Sequence, residues 1–149
     1  MERSDKDIIL ALLYRVKYPI SYTKLQKLTF LLKNETDIKM NLDFQPYKYG
    51  PFSQKIYEIV ETLESEKLVL LVSVKLNEKS NDAKLITILE EGKIKGKIVY
   101  ESMTDKERES LDDIVKRWGI EPLSSLLVYT YLTYPESTKN SIIKDEVLS

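Results

Sequence analysis

Apolar residues recur at the spacing of a helical face three times in the first half of the chain. Ile9, Leu12, Leu13 and Val16 stand at i, i+3, i+4 and i+7, the signature of an amphipathic helix. Ser4 before them, with Asp5 and Asp7 following, predicts an N-cap and a first turn whose carboxylates meet the positive end of the helix. Tyr18-Pro19-Ile20 ends this helix, because proline has no N–H to offer and a fixed φ. Ser21 or Thr23 then caps a second helix lined by Leu25, Leu28 and Leu32. Residues 34–43 read as its frayed end and a polar loop. Ser53 is expected to cap a third helix, where Ile56, Ile59, Val60 and Leu63 repeat the full set.

The pattern then changes. Residues 68–76 are rich in Val and Leu, 77–82 are polar, and 85–89 are again apolar, which predicts a β-hairpin with a projecting loop. Glu90-Glu91-Gly92 ends it. Residues 93–103 predict a helix with Ile94 and Ile98 turned inward, against which Gly92 and Gly96 weigh. Thr104 and Glu107 have the spacing of a capping box. The helix they open carries Leu111, Ile114, Val115 and Trp118 on one face, and Gly119 closes it. Pro122 opens a helix over 123–134, from Leu123 to Tyr134, and Pro135 stops it; 137–148 predict a last short helix. The fold class is α+β, mostly helical. Three helices followed by a hairpin are the order of a winged helix, with the third helix as recognition helix and the hairpin as wing. We expect one domain: a core over 5–90 with an insertion at 34–49, where a simple helix-turn-helix has only a short turn, and a helical extension over 91–149.

Composition narrows the chemistry. The 149 residues, 42% hydrophobic and 32% charged, suit one globular domain with its own core. No apolar run approaches the roughly 20 residues that span a bilayer, and the charged start is unlike a signal peptide, so a cytoplasmic protein is expected. With no Cys and no His, disulfides, thiolate nucleophiles, imidazole bases and the usual zinc sites drop out together. A metal site would need carboxylates and favour magnesium or calcium. The carboxylates Glu107, Glu109, Asp112 and Asp113 are expected to face water, and glycines fall only at 50, 92, 96 and 119, so there is no phosphate-cradling loop. No enzyme activity, cofactor or metal is expected. Abundant Lys, Glu and Ile with scarce Gly fit a thermophilic source.

Residues 44–53, FQPYKYGPFS, gather aromatics and prolines around a Gly-Pro step. Gly50 has access to backbone angles that strain other residues, and Pro51 fixes its own. Together, KLQKLTFLL at 24–32 and FQPYKYGPFSQKIYE at 44–58 resemble the Panacea, or SocA-like, antitoxin family and its small archaeal and bacterial relatives. The shared pattern is a Leu-Gln-Lys-Leu helix, an aromatic segment ending in Tyr-Gly-Pro, an amphipathic helix and a short hairpin. LLVYTYLTYPESTKNSIIKDEV near the C-terminus also resembles the end of those relatives. The resemblance covers 5–90, and the C-terminal third more loosely. It implies an antitoxin or adaptor that masks or delivers a protein partner, and it brings no catalytic residues.

Two functional readings stand beside each other. For a protein partner, Tyr47, Lys48, Tyr49 and Tyr57 surround the Gly-Pro step, and tyrosines make good interface anchors; Phe44 and Phe52 are expected in the core. For DNA, read by a dimeric winged-helix transcriptional regulator, Ser53, Gln54 and Lys55 open the third helix, Lys24 and Lys27 lie near it, and Lys79 and Lys84 sit on the wing. The net charge of -1 allows a local basic patch. Glu58, Glu61, Glu64 and Glu66 on the same helix would oppose phosphates. The helix over 123–134 is apolar on almost every side, so it is buried in the core or between two copies of a homodimer.

Overall fold

The computed structural model describes residues 3–48, 50–75 and 83–148. Helix α1 (Asp5–Val16) starts where Ser4 accepts a hydrogen bond from the Asp7 amide at 3.1 Å. Its residues from Ile8 to Leu13 are all buried, so α1 is the central helix of the core. Pro19 does more than break the chain: Ile20–Ser21 become a short strand, β1. Ser21, not Thr23, caps α2 (Tyr22–Glu35), accepting from the Lys24 amide at 3.1 Å.

The expected polar loop after α2 is an extended segment stitched to the core. Ile38, Met40 and Leu42 are buried and alternate with exposed Asp37, Lys39 and Asn41, the period of two that extended backbone imposes. Lys33 donates to the Leu42 carbonyl, and the Asn41 amide donates to buried Asp5 at 2.9 Å. The insertion then folds into a small antiparallel hairpin, β2 (Gln45–Tyr47) and β3 (Gly50–Phe52), with Tyr47 opposite Gly50.

Helix α3 (Gln54–Ser65) buries Ile56, Ile59, Val60 and Leu63, as their spacing predicts. β4 (Val69–Val74) and β5 (Ala83–Ile88) form the wing hairpin, and β1 adds to its far side in the order β1-β5-β4. Ile20 and Leu71 flank Ile86 in register, which seals the inner face of the sheet. The element order and this sheet are those of a winged helix.

Helix α4 (Glu90–Ser102) corrects one expectation. Ile94 and Ile98 are 53% and 63% exposed, while Gly92 and Gly96 face inward. A Cβ on Gly96 would stand 2.7 Å from Tyr14 Cβ, and one on Gly92 would stand 2.1 Å from the Leu68 carbonyl oxygen. The two glycines are what let α4 lie against α1 and the chain before β4, and that approach turns the isoleucines to solvent.

Helix α5 (Asp105–Trp118) has both bonds of the Thr104–Glu107 capping box and buries Leu111, Ile114 and Trp118. Gly119 follows it with ordinary right-handed backbone, φ -59°. Helix α6 (Leu123–Thr133) buries Leu126, Leu127, Thr130 and Tyr131, but leaves Leu132 66% and Val128 37% exposed. Only one side of this apolar helix is covered. The expected last helix is two pieces, a 3-10 turn at Pro135–Thr138 and α7 (Lys144–Leu148).

Candidate functional site

The conspicuous Gly-Pro step is held from below by two consecutive residues of α2. Gln26 and Lys27 are each only 2% exposed. The Gln26 amide donates through Nε2 to the Ser53 carbonyl at 2.9 Å and accepts through Oε1 from the Ser53 amide at 2.8 Å. Lys27 Nζ donates to the Pro51 carbonyl at 2.9 Å. Ser53 is the N-cap of α3 by position, yet its side chain makes no cap bond; its N–H is held by Gln26, and its carbonyl accepts from both Gln26 and the Ile56 amide. Gly50 takes φ +97°, and a Cβ there would meet Tyr131 Cε1 at 3.0 Å and Lys27 Cε at 3.2 Å. Glycine is required here both by the left-handed backbone and by the space that α2 and α6 leave. Burial pushes the Lys27 pKa down to about 7, because desolvation disfavours an ammonium.

This clamp places a run of aromatic rings on the surface. Phe52 lies between Tyr47 (centroids 4.7 Å) and Tyr57 (5.5 Å), and Tyr57 stacks in turn on Tyr22 at 4.4 Å. Four rings from β2, β3, α3 and α2 thus form one ridge, in the range where aromatic pairs attract. Tyr47 at its end is 45% exposed, and the Lys48 ammonium stands 5.9 Å from its ring centroid. Burial, then neighbouring Tyr57 and the Glu61 and Glu64 carboxylates, push Tyr22 up to about 12; burial and Tyr47 raise Tyr57 as well. Both hydroxyls therefore stay neutral at physiological pH. Beside the ridge runs a cleft of ≈ 430 Å³, with Asp43, Gln45, Gln54 and Lys55 on its polar side.

The structure gathers Tyr47, Lys48 and Tyr57 of the expected protein-contact set; Tyr49 lies outside the described residues. Phe44 is half-buried and packs against the core through Phe30 at 5.3 Å. Phe52 is also half-buried, but in the ridge. Tyr22 and Gln26 were not singled out by the sequence. The signal that could have found Gln26 and Lys27 is two polar residues between Leu25 and Leu28 on a helix that must be covered on several sides.

The expected nucleic-acid set does not form one face. Lys27 and Ser53 are interior. Lys24 donates to the Gly119 and Glu121 carbonyls at 2.6 and 3.0 Å, satisfying acceptors at the end of α5 as a cation there should. Lys55 pairs with buried Asp5 at 3.2 Å. Gln54 and Lys84 are exposed, and Lys79 lies outside the described residues. The outer surface of α3 also exposes Glu58 and Glu61.

The carboxylates expected in water divide into two kinds. Glu109 and Asp113 are exposed. Glu107 binds Arg3 at 2.8 Å, while Asp112 accepts from Arg15 at 2.8 Å and from the Tyr100 hydroxyl, tying α1, α4 and α5 together. Among the described residues no three His, Cys, Asp or Glu side chains group as metal ligands, and no helix is long and apolar enough to cross a membrane. Compared with known proteins, the chain matches no protein-family model and no curated protein.

Proposed function

We propose that this chain is a non-enzymatic protein-binding module of the cytoplasm, acting as the Panacea-type antitoxins do, by masking or delivering a protein partner. The observation that carries the reading is the ridge of Tyr47, Phe52, Tyr57 and Tyr22, part-exposed and held on backbone that Gln26 and Lys27 fasten. Aromatic anchors on rigid backbone lose little conformational entropy on binding, and Tyr is enriched among residues that dominate interface energies. The DNA alternative rests on fewer side chains, since Lys27 and Ser53 are interior and Lys24 serves α5. Glu58 and Glu61 beside the remaining Gln54 and Lys55 carry the sign of the phosphates.

The test is capture from the native host with the wild-type chain and with Tyr47→Ala, using Lys84→Ala as the wing control. One stoichiometric protein retained by the wild type and the control but lost by Tyr47→Ala is the expected result. Retention by all three, or recovery of DNA fragments alone, would overturn the reading. A homodimer across the exposed Val128 and Leu132 stripe of α6 belongs to the same proposal; light scattering that finds a monomer at micromolar concentration removes it.

A further inference from the structure

We propose that Lys27 makes the closure of the β2–β3 hairpin depend on pH: the neutral amine fastens the hairpin, and protonation favours its release. The geometry carries this. Lys27 is 2% exposed, and its Nζ has the Pro51 carbonyl, on the hairpin itself, as acceptor at 2.9 Å. A buried ammonium needs a counter-charge or several acceptors to offset its lost hydration. No carboxylate among the described residues pairs with Lys27.

Lys27 lies against β3 and α6. β3 presents the Gly50 backbone and the Pro51 carbonyl. α6 presents Tyr131, whose hydroxyl is shared with Ser141 at 2.6 Å and whose pKa burial raises, so it stays neutral. On α2, one turn before Lys27, Lys24 is turned away to the end of α5. The carboxylate of α2, Glu35, lies two turns on and accepts from the Tyr129 and Tyr134 hydroxyls; β3 and α6 carry no carboxylate, and desolvation is what lowers the Lys27 pKa, to about 7.

Opening the hairpin removes the Pro51 acceptor and lets water reach Nζ. The open state then binds a proton with the ordinary affinity, near 10.5, and the closed state with that near 7. The opening constant is accordingly highest, and flat, below about pH 7. Above that it falls about tenfold per pH unit until the ordinary lysine range is reached. The device needs no partner, so its outcome is separate from that of the proposed function.

Hydrogen exchange of the Gly50 and Phe52 amides at about pH 7 and about pH 9, corrected for intrinsic exchange, reads the opening constant directly. Expected are opening more frequent than that of the α1 amides, a fall of about fiftyfold between those two pH values, and loss of the fall in Lys27→Met. Exchange no faster than in α1, a constant opening, or the same fall in Lys27→Met would each overturn the proposal. If Lys27→Met does not fold, titration of the Lys27 ε-carbon resonance in the wild-type chain decides. A midpoint near 7 supports the device, and one near the ordinary lysine value overturns it.

Discussion

Gln26 holds Ser53 by both ends of one amide, donating to its carbonyl at 2.9 Å and accepting from its N–H at 2.8 Å. The pair is 27 residues apart in the chain and fully interior. With the Lys27–Pro51 bond next to it, this contact joins the Gln-Lys segment of α2 to the Gly-Pro-Phe-Ser segment that opens α3. The two stretches that carry the family resemblance are therefore two halves of one junction.

Truncating the amide should be expensive. Gln26→Ala leaves the buried Ser53 N–H without a partner and its carbonyl with the Ile56 amide alone, at about 1–3 kcal/mol for the orphaned donor. We expect a loss of about 1–3 kcal/mol in urea unfolding. A loss below about 0.5 kcal/mol, the range of an ordinary surface change, would show that the junction is held by something else.

Gly50→Ala combines two penalties, a left-handed φ of +97° and a Cβ within 3.0 Å of the Tyr131 ring. A loss of about 1–3 kcal/mol is expected, read as a lower melting temperature. An unchanged melting temperature would mean the hairpin has room to move away from α6.

Gly96→Ala tests packing against propensity. Alanine gains about 1 kcal/mol over glycine in a helix interior, but here its Cβ would lie 2.7 Å from Tyr14 Cβ. That contact is side chain near the backbone of α1, with little freedom to give, so we expect net destabilisation. Ile98→Lys on the outer face of the same helix, 63% exposed, should change stability by less than about 0.5 kcal/mol. The opposite order in thermal melts would reverse the assignment of inner and outer faces.

Stability should rise with pH above neutrality. The folded Lys27 pKa, about 7, lies below its ordinary 10.5. In that window the unfolded chain binds more protons, so stability increases from about pH 7 upward and is flat below it as far as Lys27 is concerned. Three tyrosines with raised pKa values set the upper limit. Tyr22 is raised to about 12, and Tyr57 and Tyr131 are raised as well, chiefly by burial. Their stabilising share is complete below about pH 10 and disappears as pH climbs through their folded values. Urea midpoints at about pH 7 and about pH 9 should increase for the wild type and stay level for Lys27→Met; parallel rises in both would assign the effect to another group.

The sequence by itself determined what depends on neighbours along the chain. The 3.6-residue apolar period set α1, α3 and α5, the Ser4 and Thr104 side chains set where two of them begin, and the two apolar runs set the wing hairpin. These are legible because capping and amphipathic burial are decided within a few residues. Only the tertiary structure decided the rest. Which face of α4 is inner depends on how close α1 lies, and a pair of glycines outweighs a pair of isoleucines when backbones touch. Whether 34–43 is a loop or an anchored strand-like segment depends on whether a core lies beneath Ile38, Met40 and Leu42. Lys27 and Ser53, which composition places at the surface, are interior because distant backbone groups satisfy them, and that pairing brings Tyr47, Phe52, Tyr57 and Tyr22 into one ridge. Such hydrogen bonds join segments that no local period relates, so their partners exist only once the chain has folded.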